Sequence, residues 1–236
     1  MTWHTGRMAA LHLHTTGLDA ETARIVIADL VLVGGGQDAD TRTWLLNPGI
    51  PIPSEATKIH GITTDQARAQ GTDPQEGVAQ ISRDLSTIIS EQIPLVVFRA
   101  PYALTIFDRE CHRHRLPVPG GASGAGLRSV IDPLVLDKHI DQFRRGSRTL
   151  RALCTHHRVR HDGNNNPASD ALAAARLAWR LGNTYPQLRS LDITTLHDRQ
   201  VIWAAEQAKS FQEHLRQKDP KAVVDGAWPI TPQTTS

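Results

Sequence analysis

Apolar and polar positions alternate near the start of the chain in the manner of β-strands. The stretches 8–15 and 23–33 are apolar, partly alternating and flanked by turn residues, and the stretch 41–47 follows three consecutive glycines. Three such runs in succession predict an antiparallel meander. Asp29 lies inside the second run, where the sequence offers it no obvious partner.

Beyond residue 53 the apolar residues recur with a helical period. One predicted helix carries an apolar stripe formed by Val78, Ile81, Leu85 and Ile88. The short run 94–98 is apolar throughout, which predicts a strand covered on both faces. The remaining predicted elements are helices from Pro101 and from near Thr149, a strand leading into a short helix at 130–140, and helices at 164–182 and 196–217.

A strand meander followed by alternating strands and helices predicts an α/β layered domain with a mixed central sheet and flanking helices. We expect residues 1–185 to form this domain and residues 186–236 to form a C-terminal helical extension with a tail. The final helix carries an apolar stripe, which should dock on the domain or on a partner. The turn-rich residues 224–236 are expected to be frayed, apart from Trp228, which needs cover.

Composition and charge narrow the functional classes only slightly. The chain has 236 residues, 39% of them apolar, and 26 Lys and Arg against 24 Asp and Glu give a net charge of +2. Local clusters must therefore carry any case for an anionic partner. Cys111 and Cys154 lack the spacing of a zinc motif, the N-terminus lacks an apolar leader, and no run approaches the roughly 18 apolar residues of a bilayer span. We expect a cytoplasmic protein with reduced, buried thiols and no membrane partner.

Four fragments, taken in order, resemble one known family. The fragments 15–26, 47–63, 100–111 and 169–181 are similar to the proofreading 3'–5' exonucleases of the DEDD type, which include the epsilon subunit of bacterial DNA polymerase III. The resemblance implies a ribonuclease H-like three-layer fold. It also implies a site in which four carboxylates and one histidine hold two Mg²⁺ or Mn²⁺ ions for phosphodiester hydrolysis.

The residues at the catalytic positions of that family are mostly different here. His12 and His14 stand where the first motif has two carboxylates. Ala103 replaces the third carboxylate, Asn165 replaces the general-base histidine, and Asp170 is the one match. Asparagine cannot take a proton from water near neutral pH. The resemblance therefore predicts a pseudoenzyme, a member with lost or impaired catalysis and no bound cofactor.

The two histidines leave an alternative open. Alternate residues of a strand share a face, so His12 and His14 should point to one place, with Asp170 facing them. Two imidazoles and one carboxylate suit Zn²⁺ or Fe²⁺ better than Mg²⁺. The favoured alternative is that both histidines fill a vacated cleft and hydrogen-bond Asp170, Thr15 or water.

Candidates for nucleic-acid binding come from the resemblance and from local charge. The family's turn that meets the terminal nucleotide matches Thr15, Thr16 and Gly17. Arg99 replaces an asparagine of the family, and its guanidinium either binds a phosphate bidentately, neutralises the retained aspartate or points outward. Arg144 and Arg145 belong to a basic stretch that is either a phosphate-contacting patch or a solvated helix start.

Other histidines are assigned no chemistry. His60 is expected to pack in a turn near the pocket, and surface positions are expected for His156, His157 and His161.

The sequence leaves three possible functions. The first is a catalytically inactive exonuclease-like domain that still binds single-stranded nucleic acid or its 3' end. The second is a protein-interaction scaffold that binds a protein partner through the helix at 196–217. The third is an active nuclease with an altered metal site.

Overall fold

The computed structural model describes residues 2–121, 126–163 and 168–233. The strands are β1 (Arg7–Thr15), β2 (Ile25–Gly34), β3 (Asp40–Leu45), β4 (Leu95–Val97) and β5 (Val130–Ile131). The helices are α1 (Ser54–His60), α2 (Thr64–Gln70), α3 (Pro74–Ser90), α4 (Ala100–Arg113), α5 (Pro133–Ile140), α6 (Leu150–His156), α7 (Ser169–Thr184), α8 (Pro186–Arg189) and α9 (Ile193–Arg216).

The strands form one mixed sheet in the order β3-β2-β1-β4-β5. β1, β2 and β3 pair antiparallel, β4 pairs parallel with β1, and β5 pairs parallel with β4. The predicted α/β fold with its meander and mixed central sheet is confirmed. The register places His12 of β1 directly opposite Asp29 of β2, so these two side chains share one face of the sheet.

Two hydrophobic cores cover the two faces of the sheet. Leu11 and Leu13 pack in the core that contains the predicted apolar stripe of α3, which is buried as expected. Ala10 packs in the other core, which contains the buried face of α7. Because side chains alternate along a strand, His12 and His14 lie on the same face as Ala10, toward α7.

The chain after α9 packs against the domain. Trp228 and Ile230 are buried in the core of α3 and α4, the Thr231 backbone N–H donates to the Thr105 hydroxyl, and Arg109 donates to the Thr231 carbonyl oxygen. The expectation that this tail is frayed is therefore wrong as far as residue 231, because Ile230 is buried and Thr231 is hydrogen-bonded to the domain although neither forms a helix or strand. The division of the chain at residue 185 stays a prediction.

Cys111 and Cys154 are buried free thiols, as the sequence predicts. Within the described ranges no helix has the length and apolar character that a bilayer span requires.

Candidate functional site

Two histidines of β1 and one aspartate of α7 converge at the carboxyl end of β1. The imidazole centroids of His12 and His14 are 4.7 Å apart. The Nε2 atom of His12 lies 3.4 Å from Oδ2 of Asp170, which stands in the first turn of α7. One ligand atom from each of the three residues lies within 4.8 Å of the other two. The structure thus places the three candidate metal ligands at one point.

His161 is a site residue that the sequence analysis missed. Its Nε2 lies 2.6 Å from Oδ1 of Asp170, and the Gly163 backbone N–H donates to its Nδ1. An accepting Nδ1 leaves the proton on Nε2, so His161 donates to the carboxylate and fixes its orientation. The expected surface position is wrong for His161, whose side chain is 10% exposed. It is also wrong for His157, which bonds Asp137 at 2.7 Å, whereas His156 is exposed.

Asp29 is a second carboxylate of the site. Its Oδ1 accepts a hydrogen bond from the Thr43 hydroxyl at 2.6 Å, which supplies the partner that the sequence did not reveal. Burial raises the pKa of Asp29, and the Thr43 bond and the backbone N–H of Ala168 oppose that rise. Ala168 precedes α7 in the left-handed region, at φ 61°. Asp29 therefore helps to hold the start of the helix that carries Asp170.

Two adjoining cavities open around these residues, of about 410 Å³ and about 560 Å³. They share His14, Ile59, His60 and Asp170 as lining residues. The first is also lined by the turn after β1, formed by Thr15, Thr16 and Gly17, and by Tyr102 of α4. The second extends along β2 and β3 past Asp29 and Thr43. The site is therefore a cleft that widens on both sides of His14.

Hydrogen bonds fix the turn after β1. The Tyr102 hydroxyl donates to the Gly17 carbonyl oxygen at 2.7 Å and lies 2.6 Å from the Thr15 hydroxyl. The Thr16 hydroxyl accepts from the Arg24 backbone N–H at 3.0 Å. This wall of the cleft is held in place by protein groups alone.

His60 forms another wall of the cleft. Its Nδ1 accepts from the Ile62 backbone N–H at 3.1 Å, and its ring centroid lies 5.7 Å from that of His14. Its Nε2 is buried and finds no hydrogen-bond partner among the described residues. Burial, together with nearby His14, lowers the pKa of His60 to about 4. Because Nδ1 accepts, the ring proton is on Nε2, and the expected packing role is combined with an N–H beside the cleft that is unpartnered within the described ranges.

The electrostatic setting keeps the two β1 histidines neutral. Burial lowers the pKa of His12 in spite of the Asp170 carboxylate, and burial and His12 lower the pKa of His14. Both imidazoles therefore keep a free nitrogen lone pair near neutral pH. Neutral imidazole is a good ligand for Zn²⁺, whereas Mg²⁺ requires oxygen ligands in near-octahedral geometry. The donor set fits one borderline ion and does not fit a pair of magnesium ions.

Arg99 and Ala103 occupy the start of α4. Ala103 is buried and presents only a methyl group. Arg99 is exposed and adopts φ 59° and ψ 54°, a left-handed conformation that is uncommon for a residue with a Cβ. The buried Asp132 carboxylate accepts from the backbone N–H groups of Arg99 and Ala100 at 3.1 and 2.8 Å and holds this conformation.

The other predicted site residues lie apart from the cleft or outside the described chain. Arg144 reaches Asp137 at 3.7 Å, and Arg145 is exposed. A role for either in nucleic-acid binding stays a prediction. Asn165 lies outside the described residues.

The chain matches a family model in sequence, and it shares its fold with solved structures. A family model described as Exonuclease (RNase_T) matches residues 13–178. No curated protein matches the sequence. The fold is shared with exonuclease I from E. coli in complex with a dA16 oligonucleotide, with a TM-score of 0.64 and 14% identity over 87% of this chain and 45% of that chain.

Two further structures of the same fold bear on the site. The zinc-ion-bound E. coli exonuclease I–ssDNA complex has a TM-score of 0.61 and 15% identity, over 78% of this chain and 42% of that chain. A complex of exonuclease I with SSB-Ct has a TM-score of 0.63 and 14% identity, over 89% of this chain and 46% of that chain. The chain thus spans less than half the length of these proteins, and the predicted ribonuclease H-like fold is confirmed.

The prediction that no cofactor is bound is wrong. His12, His14 and Asp170 converge as three ligands, and a zinc-bound form exists for a protein of the same fold. The prediction favoured histidines that merely fill a vacated cleft over the alternative of a transition-metal site, although imidazole is itself a metal ligand.

Proposed function

Because the chain belongs to the exonuclease family, whose model matches residues 13–178, we propose that it binds the 3' end of single-stranded nucleic acid without two-magnesium hydrolysis. We place that end in the cleft beside the turn Thr15–Gly17. The observation that carries the proposal is a cleft with a complete, hydrogen-bonded turn on one wall and two histidines in place of carboxylates on the other. We also propose that, within this family, the chain is related to the epsilon subunits of DNA polymerase III.

The loss of magnesium chemistry follows from the donor set. Mg²⁺ dehydrates reluctantly and binds oxygen ligands at about 2.0–2.1 Å in octahedral geometry. Of the three carboxylates that line the cleft, Asp170 and Asp29 are each engaged at one oxygen, by His161 and by Thr43, and Glu55 is exposed on α1. Ala103 contributes no donor at all. No step of hydrolysis through magnesium is therefore assigned to this site.

Binding without hydrolysis is supported by the turn wall. The hydroxyl oxygens of Thr15 and Tyr102 keep acceptor capacity beside the cavity, and these neutral hydrogen-bonding groups do not depend on a metal. Such groups commonly position a sugar or phosphate. The family resemblance assigns this turn to the terminal nucleotide, and the cavity beside it, of about 410 Å³, has room for a nucleotide-sized ligand.

The binding test uses a 5'-labelled oligothymidylate in EDTA and measures fluorescence anisotropy. An added Cβ at Gly17 meets no atom within 4 Å, so Gly17→Val should fold normally yet fill the space of the terminal nucleotide. We expect it to weaken binding by about tenfold or more, which is about 1.4 kcal/mol. Gly6→Val is the matched control, because Gly6 is equally unobstructed and lies at the other end of β1.

Strand binding should be unaffected by the control substitution and should depend on salt and on a free 3' end. Wild type and Gly6→Val should bind with similar affinity, and the affinity should fall as salt is added. A circular single strand, which has no 3' end, should compete poorly. An absence of binding at low salt, or equal binding by Gly17→Val, would contradict the proposal.

A second candidate function is a nuclease that uses one transition-metal ion. The convergence of His12, His14 and Asp170 favours it, and the neutral state of both imidazoles supports it. Three protein ligands with an open position are typical of catalytic zinc, which lowers the pKa of a bound water and polarises phosphoryl oxygens. In this arrangement the N–H of His161 would keep the Asp170 carboxylate aimed at the ion.

Metal content decides whether this candidate survives. Protein purified without a histidine tag and dialysed against trace Zn²⁺ should retain one zinc per chain. His156→Ala, which alters an exposed histidine away from the cleft, should retain it as well. Sub-stoichiometric zinc in the wild type would exclude the second candidate and leave the first intact.

A further inference from the structure

A separate groove adjoins the cleft on the far side of Tyr102. It has a volume of about 310 Å³ and lies between the starts of α4 and α5 on one side and α9 with the tail on the other. Tyr102 lines both this groove and the cavity beside the Thr15–Gly17 turn. The groove and the cavity beside the turn are therefore neighbours that meet at Tyr102.

The tail fixes the outer wall of the groove. The Val224 backbone N–H donates to Oε1 of Gln212 at 3.0 Å, and Arg216 donates to the Ala222 carbonyl oxygen at 3.0 Å. An added Cβ at Gly226 would lie 3.1 Å from Cα of Ala205, so the tail runs in close contact with α9. The groove is thus bounded by packed elements on both sides.

Two cationic side chains, Arg99 and Lys138, line the groove. Arg99 is exposed and Lys138 is half-buried, and neither side chain forms an ion pair or hydrogen bond within the described part of the chain. The left-handed backbone at Arg99 is an uncommon conformation that buried Asp132 enforces. Such conformations occur often at functional sites. Two cations are therefore available to a ligand in the groove.

The acidic groups that face the groove are already engaged. Asp132 accepts from the backbone N–H groups of Arg99 and Ala100, and also from Leu134. Asp225 of the tail accepts from the Ala227 backbone N–H.

An aromatic side chain of α9 also lines the groove. This residue, Phe211, is 53% exposed, so about half of its side chain is open to a ligand. The wall along α9 from Ala204 to Phe211 spans seven residues, or about 10 Å at 1.5 Å per residue. This length corresponds to about three phosphates of a stacked strand at about 3.4 Å each.

We propose that this groove is a second subsite for single-stranded nucleic acid, which takes the nucleotides preceding the terminal one. Arg99 and Lys138 bind phosphates, and Phe211 provides a surface on which a base stacks. Cationic side chains interspersed with an exposed aromatic ring are the combination that binds single strands without sequence preference. The inference rests on the proposed function, because the strand's 3' end must lie at the Thr15–Gly17 turn.

The test compares 5'-labelled oligothymidylates of three and nine nucleotides in EDTA. The nine-mer reaches the groove, whereas the three-mer occupies the cleft, so the wild type should bind the nine-mer more tightly. Phe211→Ala should weaken nine-mer binding by about tenfold and leave the three-mer unchanged. Lys138→Gln should lower the slope of log K against log salt by about 0.7 for the nine-mer. Ile202→Ala, an exposed apolar residue of α9 outside the groove, is the matched control and should bind like the wild type.

These measurements test the proposed function and the second subsite separately. If neither oligonucleotide binds, the proposed function fails and the subsite falls with it. If the three-mer binds and the nine-mer binds no more tightly, or if Phe211→Ala matches Ile202→Ala, the proposed function stands and the subsite is refuted. If an acidic peptide with an aromatic end binds in a Phe211-dependent manner while the nine-mer does not, the groove is a peptide site and the inference is overturned.

Discussion

The two walls of the cleft differ in how their side chains are held. The turn wall, formed by Thr15–Gly17 and Tyr102, is a set of neutral groups that bond one another. The histidine wall, formed by His12, His14 and Asp170, consists of ionisable groups with open ligand positions. The wall proposed to recognise a strand therefore shares no side chain with the wall proposed to carry out chemistry, and the two can be changed separately.

The largest expected effect concerns the support of the turn wall. Asp132 accepts backbone hydrogen bonds at the starts of α4 and α5, and α4 carries Tyr102. Asp132→Ala leaves these buried N–H groups without a partner and should lower the free energy of unfolding by about 3 kcal/mol. Urea unfolding measures this change. Asp198→Ala, which removes an exposed ion pair with Arg128, should cost less than about 1 kcal/mol; equal losses would show that Asp132 does not support the wall.

Zinc affinity should depend on the histidine wall alone. His12→Ala removes one of three ligands, whereas His161→Ala removes only the partner that orients Asp170. Loss of an outer partner typically costs about 10- to 100-fold in affinity, and loss of a ligand should cost more. Competition with a chromogenic zinc chelator measures both. Equal losses of zinc affinity in the two variants, or any loss of zinc affinity in Tyr102→Phe, would contradict the independence of the two walls.

Strand binding should depend on the turn wall and not on the histidine wall. Tyr102→Phe removes the hydroxyl that bonds Gly17 and Thr15. A net loss of about 1 kcal/mol should appear as roughly a five- to tenfold weaker affinity for the three-mer in EDTA. His161→Ala should leave that affinity within twofold of wild type. A strong effect of His161→Ala in EDTA would mean that the walls act together.

The smallest expected effect is the pH dependence of stability. The pKa of His60 is about 4 in the folded chain, below the ordinary value of 6.5. As pH falls below 6.5 the unfolded chain takes up a proton that folded His60 does not, so the free energy of unfolding falls down to about pH 4. At pH 6 the His60 share is about 1 kcal/mol. Between pH 8 and pH 6 in EDTA, wild type should lose about that much more stability than His60→Gln, and parallel losses would refute a buried, neutral His60.

Sequence patterns predicted the sheet, the α3 stripe and the convergence of His12 with His14, because each depends on a local period of two or 3.6 residues. They did not predict the place of Asp29, which depends on the register of β1 against β2. They also missed His161, whose approach to Asp170 depends on how the chain returns after α6. The tail was mistaken for frayed chain, since turn-rich composition carries no sign of the burial of Ile230.

The central claim is that the cleft binds a strand end that it does not hydrolyse with magnesium. Its most direct test incubates a 5'-labelled single strand with the protein in Mg²⁺ and follows both binding and strand length. The variant that combines His12→Asp, His14→Glu and Ala103→Asp, which restores the family's carboxylates, is assayed in parallel with the wild type. The account predicts that the wild type binds the strand and leaves its length unchanged. Magnesium-dependent shortening from the 3' end by the wild type, abolished by Asp170→Ala, would contradict it.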